Sequence, residues 1–574
     1  MSHRNSEPDV RPVWFDSLGP AALNELVMTE DAERWLRAVG RVLSLVIVAG
    51  SAFAVGSGLN PGGDDYPSWG QPASLAAAVL ALLGLALAWR WEAFGLLAIT
   101  AGVAIGSLAA FEYGAVLSLG VALAFITPGV LFVLAWSRIR TLRSVLTVAA
   151  GVVLLLAVGG GAAYAFNQLS TGPAHPESDR LAVQGSAVGW VWSGGVTSTE
   201  AVVVASVEAA DSVRLGYRPA ESEEMTYVDS SLRGPVYRFE LSALAPGTKY
   251  DYHLEVDGHV DDGHPGRFTT WPSTGFDFTV AFSGCASPGS NGMVFDVIHE
   301  AEPDLYIITG DFFYADIADS ALDSFTSEFD STLSAPAQAA LYESVPIAYT
   351  WDDHDYGPND SGRASPSRGA ALVSYRTIVP HYPFALDGPD APIAQAFTMG
   401  SVRFIITDTR SARTETTALG AEQLEWLLDE LATSSRSHSV VIWVSSIPWL
   451  GEAERGADSW AGFPEERALI GRHIEVNGID NLVMLAGDAH MVAFDDGTNN
   501  PDGGFPVMHA GALDRPGSEK GGPFSGGAFP GAGQFGLVEV SDDGGGPVEI
   551  ELSGHSYDGR ELLSIDLEYP RVSP

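Results

Sequence analysis

The sequence predicts a multidomain protein of three parts in order: an α-helical transmembrane bundle of about five spans, an antiparallel β-sandwich, and a C-terminal α/β sandwich. Three observations predict it. Five apolar runs, each about 17–22 residues, lie between residues 42 and 166; short alternating runs broken by Gly, Pro and Ser fill 181–272; and buried-strand patterns alternate with amphipathic helical ones over 273–574.

The apolar runs are roughly Val42–Leu59, Ala73–Trp89, Ala93–Phe111, Ala115–Trp136 and Val145–Phe166. Each is long enough for a helix to cross a hydrocarbon core of about 30 Å. None contains Asp, Glu, Lys, Arg or His, which favours an anchor or a partner-binding bundle over an ion pathway. Arg34, Arg37 and Arg41, then Arg90, then Arg138, Arg140 and Arg143 fall in alternate loops. Those loops are expected in the cytoplasm, together with segment 1–41, and everything after residue 166 outside it. The expected localisation is a multi-pass plasma-membrane protein with its large C-terminal portion extracytoplasmic. The first run begins too far in for a cleavable leader, so it reads as an uncleaved anchor.

Charge narrows the function. The formal net charge is −42, and residues 171–574 hold 61 acidic against 21 basic residues. Such a surface repels nucleic acid, which is expected at most as a substrate. It suits a domain bathed in divalent cations or high salt. No protein partner is identifiable.

After a polar linker over 167–180, stretches such as "VGWVWSGGVTS", "EAVVVASV" and "VYRFELSAL" read as short strands of an antiparallel sandwich. "LSALAPGTKYDYHLEVDG", Leu241–Gly258, resembles the tyrosine-corner region of fibronectin type III domains, with Tyr250 and Tyr252 on the following strand. The resemblance implies a fibronectin III-like spacer or positioning module over 181–272.

From Gly275 onward, "FDFTVAF", "DLYIIT", "PIAYTW", "VRFIITD", "SVVIWVS" and "NLVMLAG" read as buried strands, and "AEQLEWLLDELATSS" as an amphipathic helix with Leu424, Leu427, Leu428 and Leu431 at helical spacing. Ligand sites of such sheets gather beyond the carboxyl ends of the strands. There the sequence places Cys285, its single cysteine; Gly310-Asp311 through Tyr314; Asp352-Asp353-His354-Asp355; Asp408-Thr409-Arg410; and Gly487-Asp488-Ala489-His490. Alone, Cys285 reads as a small buried hydrophobe, Asp311 as a helix cap and "WDDHD" as a solvated turn. At successive strand ends, thiol, carboxylates, phenol and imidazoles are metal-ligand types, and such carboxylates repel one another without a cation.

The phrases "FSGCAS", "PDLYIITGDFFY", "TWDDHD", "ITDTRSAR", "LGAEQLEWL", "DSWAGFPEER" and "LAGDAH", in that order and after "GWVWSGGVTSTEAVVV", resemble the PhoD alkaline phosphatase/phosphodiesterase family of calcineurin-like metallophosphoesterases. The resemblance runs from about Gly189 to Gly497, and more loosely to the C-terminus. It implies an α/β/β/α catalytic sandwich over 273–574. It also implies Fe3+ held by Cys285, Asp311, Tyr314 and His490, with Asp311 bridging to Ca2+ on Asp353 and Asp488.

The activity so implied is hydrolysis of phosphate monoesters or diesters by a metal-bound hydroxide attacking in line. His354 is then the candidate to protonate the leaving oxygen, or else a hydrogen-bonded supporting residue. Arg410 is the candidate phosphate contact, or else the partner of Asp408 in a structural pair. The alternative function is a catalytically silent phosphatase-fold adhesion, receptor or sensor protein.

The chain departs from the family wording in three places. It has Phe312 and Ala315 where "GDYIYE" is common, Asp355 where a glutamate is common, and Ser445-Ser446 where related phosphoesterases place a histidine. The stretch Gly521–Val540, rich in Gly and Phe, is expected to be a surface loop, or else a flap over the site, with "FGLVEV" and "VEIELSGHSYDG" as closing strands of the sheet.

Overall fold

Phe278–Ser283 sends Val280 and Phe282 into one core and Ala281 into another; Val440–Ser445 likewise divides Ile442 and Val444 from Val441 and Trp443. Period-two alternation with both faces apolar is what a sheet covered on both sides requires. In the computed structural model, which describes residues 176–232 and 234–572, these strands belong to two stacked sheets whose facing sides share one core through Phe282, Ile307, Ile406, Ile442 and Leu485. Helices Met293–Glu300, Leu322–Leu333, Pro336–Ser344 and Arg368–Ile378 cover the outer face of one sheet. Helices Gly420–Ser437 and Pro464–Asn477 cover the other through Leu427, Leu431, Ile470 and Ile474. The order of layers is α/β/β/α.

The first sheet has nine strands, in the order Glu561–Tyr569, Val548–Ser556, Gln534–Ser541, Phe278–Ser283, Leu305–Ile308, Ile347–Tyr349, Val188–Gly194, Ala201–Val207 and Val236–Leu241. The second has seven: Gln395–Met399, Val402–Ile406, Val440–Ser445, Leu482–Ala486, Val507–His509, Met491–Asp495 and Gly527–Pro530. In the first, Ile308 lies in register with Ser283 and with Tyr349. In the second, Ile406 lies in register with Val444, and Ser445 with Ala486. Three parallel strands of each sheet therefore finish at one end of the sandwich, and the Thr350 hydroxyl ties them together by donating to the Thr407 carbonyl at 2.9 Å.

The N-terminal β module shares its sheet with this domain. Gly194 pairs in parallel with Ile347, so three module strands extend the nine-stranded sheet. A Cβ at Gly194 would lie 2.3 Å from the Pro380 carbonyl oxygen and 2.5 Å from that of Ile347, so only glycine permits the junction. The remaining module strands, Val213–Pro219, Thr226–Asp229, Lys249–Val256, His259–Val260 and Gly266–Thr269, form a five-stranded sheet. Within it the Ala245 amide donates to the Tyr250 hydroxyl at 2.8 Å.

One part of the expected fold class is corrected. Among the described residues no helix is long and apolar enough to cross a membrane. The longest, Gly420–Ser437, is amphipathic and carries Glu422, Glu425, Asp429, Glu430 and Arg436. The fold supported is the sheet-rich sandwich, and the five-span helical bundle is not supported. The apolar runs over 42–166, and the linker up to residue 175, lie outside the described residues.

The expected closing strands at "FGLVEV" and "VEIELSGHSYDG" form within the nine-stranded sheet, and the Gly- and Phe-rich stretch before them is itself partly a strand. Gly527–Pro530 pairs with Met491–Asp495, and Gln534–Ser541 lies inside the nine-stranded sheet beside Phe278–Ser283.

Candidate metal centre

Beyond the shared strand ends, Cys285, Asp311 and Asp488 each follow a glycine and each adopts a left-handed backbone, with φ of 64°, 52° and 62°. Such a conformation costs a non-glycine residue on the order of 1–3 kcal/mol, and strain of this kind gathers where side chains must be aimed for function. Gly487 allows the two sheets to close: a Cβ there would meet the Thr309 carbonyl oxygen at 2.4 Å and that of Ser446 at 2.9 Å.

The side chains so aimed converge. Cys285 Sγ lies 3.6 Å from Asp311 Oδ2. Tyr314 Oη lies 2.8 Å from His490 Nε2, whose ring donates through Nδ1 to the Pro516 carbonyl at 2.7 Å. Ligand atoms of Asp311, Asp352 and Asp488 lie within 4.8 Å of one another, as do those of Asp311, Asp353 and His354, and those of Asp352, Asp353 and Asp458. The residues of these three groups are buried, as are Cys285 and His490, and Tyr314 is half-buried. The His354 ring stacks on Tyr314 with centroids 3.9 Å apart, and its Nδ1 donates to Asp316 Oδ1 at 2.7 Å. The structure thus gathers Cys285, Asp311, Tyr314, Asp353, His354, Asp488 and His490 at one place.

Arg410 is placed differently from either expectation. It is fully buried. Its Nε donates to Asp352 Oδ1 at 2.6 Å, and Nη1 and Nη2 donate to the two oxygens of Asp458 at 2.9 Å each. Asp408 receives only the backbone N–H of Arg410, while also accepting from Trp351 Nε1 and Ile393 N. The guanidinium therefore holds two acidic segments together, and a phosphate would reach it only by displacing them.

Electrostatics show what the cluster requires. Burial pushes the Asp311 carboxyl well up; His354 opposes this, and Asp353, Asp355 and Asp488 add to it. Burial likewise raises Asp352 against the pull of Arg410, and raises the Cys285 thiol, with Asp311 and Asp488 adding to the effect. Burial would raise Asp458 too, but Arg410 and Arg413 hold it well below the carboxylate range. For His354, burial works toward the neutral ring, yet Asp353, Asp311 and Asp316 prevail and push it up to about 11.

A set of acids and a thiol that retain their protons without a counter-ion would release them around a multivalent cation. Asp352 Oδ2 is moreover buried with no hydrogen-bond partner, an acceptor that a cation would satisfy. Thiol, phenol and imidazole on one side and carboxylate oxygens on the other fit a pair of metals.

Sequence reasoning missed several members. Sequence singles out Asp353 and not Asp352, because adjacency in the chain does not show that both carboxylates turn inward. Asp458 belonged to a quoted motif without a role. Asp355 uses its shorter acid to bind the Phe312 and Asp352 amides at 2.9 and 2.7 Å, fixing two ligand-bearing turns. Lys520 Nζ lies 2.9 Å from Asp488 Oδ1, and the Arg515 guanidinium lies over the Tyr314 ring at 4.2 Å from its centre. The available signal was scarcity: Lys520 is one of two lysines in the chain.

The four layers carry ligand-type side chains where the strands of both sheets end. Residues 278–510 match the family model described as PhoD-like phosphatase. Alkaline phosphatase D of Bacillus subtilis (strain 168) is 25% identical over 308 residues, which are 44% of this chain and 52% of that protein; the chain spans about half the length of this relative. The solved "Structure of PhoD" covers 68% of this chain and 94% of its own with a TM-score of 0.54 at 18% identity, which shows a shared fold.

Proposed function

We propose that this protein is a metal-dependent phosphoesterase acting on phosphate monoesters or diesters, with Fe3+ on Cys285, Asp311, Tyr314 and His490, and Ca2+ on Asp311, Asp353 and Asp488. The observation that carries the reading is the convergence of these six side chains, five of them buried and Tyr314 half-buried, where the strands of two sheets end. The PhoD-like match over 278–510 supports it. Extracytoplasmic placement belongs to the same proposal and rests on the arginine pattern of the sequence.

When bound, the metals supply Lewis acidity and water activation at the phosphoryl group. The chain's residues do the remainder. Asp311 is shared between the thiol side and the carboxylate side of the cluster, and Asp355 holds the turns carrying Asp311 and Asp353 in register. Asp316 holds the His354 ring through Nδ1, so a proton given to the leaving oxygen, or a hydrogen bond to the phosphoryl group, passes through Nε2. Arg410 positions Asp352 and does not contact substrate.

The test is turnover of p-nitrophenyl phosphate and bis-p-nitrophenyl phosphate by the full chain supplied with iron and calcium. Cleavage of either ester that Asp311→Asn abolishes is the expected result. No cleavage of either, from protein that purifies without metal, would overturn the reading and leave a phosphatase-fold binding protein.

A further inference from the structure

We infer that Arg515 is the side chain that grips the substrate's phosphate, the task Arg410 is too enclosed to perform; the inference rests on the phosphoesterase reading above. Arg515 lies beyond the residues matched by the family model, which end at 510. Its position comes from the segment that follows the strand Val507–His509.

That segment is strapped to the centre on both sides of Arg515. Before it, the Leu513 amide donates to the Gly284 carbonyl at 3.0 Å, the Asp514 amide to the Cys285 carbonyl at 3.4 Å, and the Asp514 carboxylate accepts the Ser287 amide at 2.7 Å. After it, the Pro516 carbonyl accepts from His490 Nδ1 at 2.7 Å, and the Ser518 amide donates to the His490 carbonyl at 3.0 Å. The residue between is held beside two candidate ligands, Cys285 and His490, and its guanidinium lies over the ring of a third, Tyr314.

The charge of Arg515 is unmatched. In a chain with 72 acidic residues it forms no ion pair among the described residues, and its Nε is buried without a hydrogen-bond partner. Leaving a buried charged donor unsatisfied is unfavourable unless an anion completes it. The planar fork matches two phosphoryl oxygens at once, and stacking on Tyr314 fixes its plane in advance. Arg515 is also half-buried, whereas Arg410 is sealed, so an anion can reach it from solvent. One positive charge attracts the dianionic end of a monoester more than a diester monoanion, so Arg515 tilts the site toward terminal phosphates.

The test uses the metal-loaded full chain, with inorganic phosphate as the probe in calorimetry. Arg515→Met keeps the stem over Tyr314 and removes the fork. It is expected to weaken phosphate binding roughly 10- to 100-fold and to raise KM for p-nitrophenyl phosphate more than for the bis ester. Metal content and Tm should be unchanged, and Arg515→Lys should recover part of the affinity. Wild-type phosphate affinity in Arg515→Met, with turnover still lost in Asp311→Asn, overturns this inference and leaves the phosphoesterase reading standing. Weakened binding accompanied by metal loss or a lower Tm assigns Arg515 a structural role and also overturns it. A wild-type chain that neither binds phosphate nor cleaves either ester overturns both.

Discussion

Arg410 is held by what it holds. With Asp352 and Asp458 buried around it, removing the guanidinium strands two carboxylates in a dry site. Arg410→Met is therefore expected to destabilise by about 3–5 kcal/mol, the usual consequence of breaking a buried ion pair from one side, measured by urea unfolding. A loss under about 1 kcal/mol would mean that the pair is not formed.

His354 is expected to show its role through the leaving group. His354→Gln should lower kcat roughly 10²- to 10⁴-fold for esters of poor alcohol leaving groups, and less for p-nitrophenyl esters. Equal losses for both classes would remove the proton-donor assignment.

His509 governs a different property. Burial pushes its imidazole down to about 4, with the Gly487 backbone partly offsetting this. The unfolded chain, titrating near the ordinary histidine value, takes up the proton first as pH falls. Stability is thus present above about pH 6.5 and lost between about 6.5 and 4, at about 1.4 kcal/mol per unit. His509→Phe should flatten the pH–stability curve across that window, and an unchanged slope would contradict the burial assignment.

At the scale of elements, the turn after each strand is the working unit. Gly487→Ala should force the Thr309 and Ser446 carbonyls apart, destabilising by roughly 1–3 kcal/mol and loosening the ligand turns. The thermal midpoint and metal content of the variant check this together, and a normal value for both would show that the two sheets do not meet there.

The strands and the candidate ligands at their ends were legible in the sequence because buried parallel strands are short runs of β-branched and aromatic residues that stop at Gly-Cys or Gly-Asp. The left-handed turn that follows has no signature except the glycine before it. Phe312, a departure from the family wording, is explained only in three dimensions. It stacks on Trp192 of the module at 5.8 Å and packs against Tyr349 at 5.4 Å. The pairing of Gly194 with Ile347, which makes the module part of the nine-stranded sheet, joins segments far apart in the chain, and local pattern does not encode it. The enclosure of Arg410 has the same origin: which arginine acids surround depends on the fold around it.

For the molecule as a whole, the acidic composition and the buried acid cluster both favour cation binding. Residues 171–574 concentrate negative charge, and the deepest acids, Asp311, Asp352, Asp353 and Asp488, face one another. Cations bound there stabilise the folded state by mass action, by about 2.7 kcal/mol at a hundredfold excess over Kd. Chelation should accordingly lower Tm, and readdition should restore it.

The central claim is that this cluster is a metal centre. Elemental analysis of the purified full chain beside Asp311→Asn tests it most directly. The account predicts two metal ions per chain in the wild type, one of them iron, and loss of both from the variant whose bridging carboxylate is gone. Wild-type protein without bound metal, or a variant that retains both ions, would contradict it.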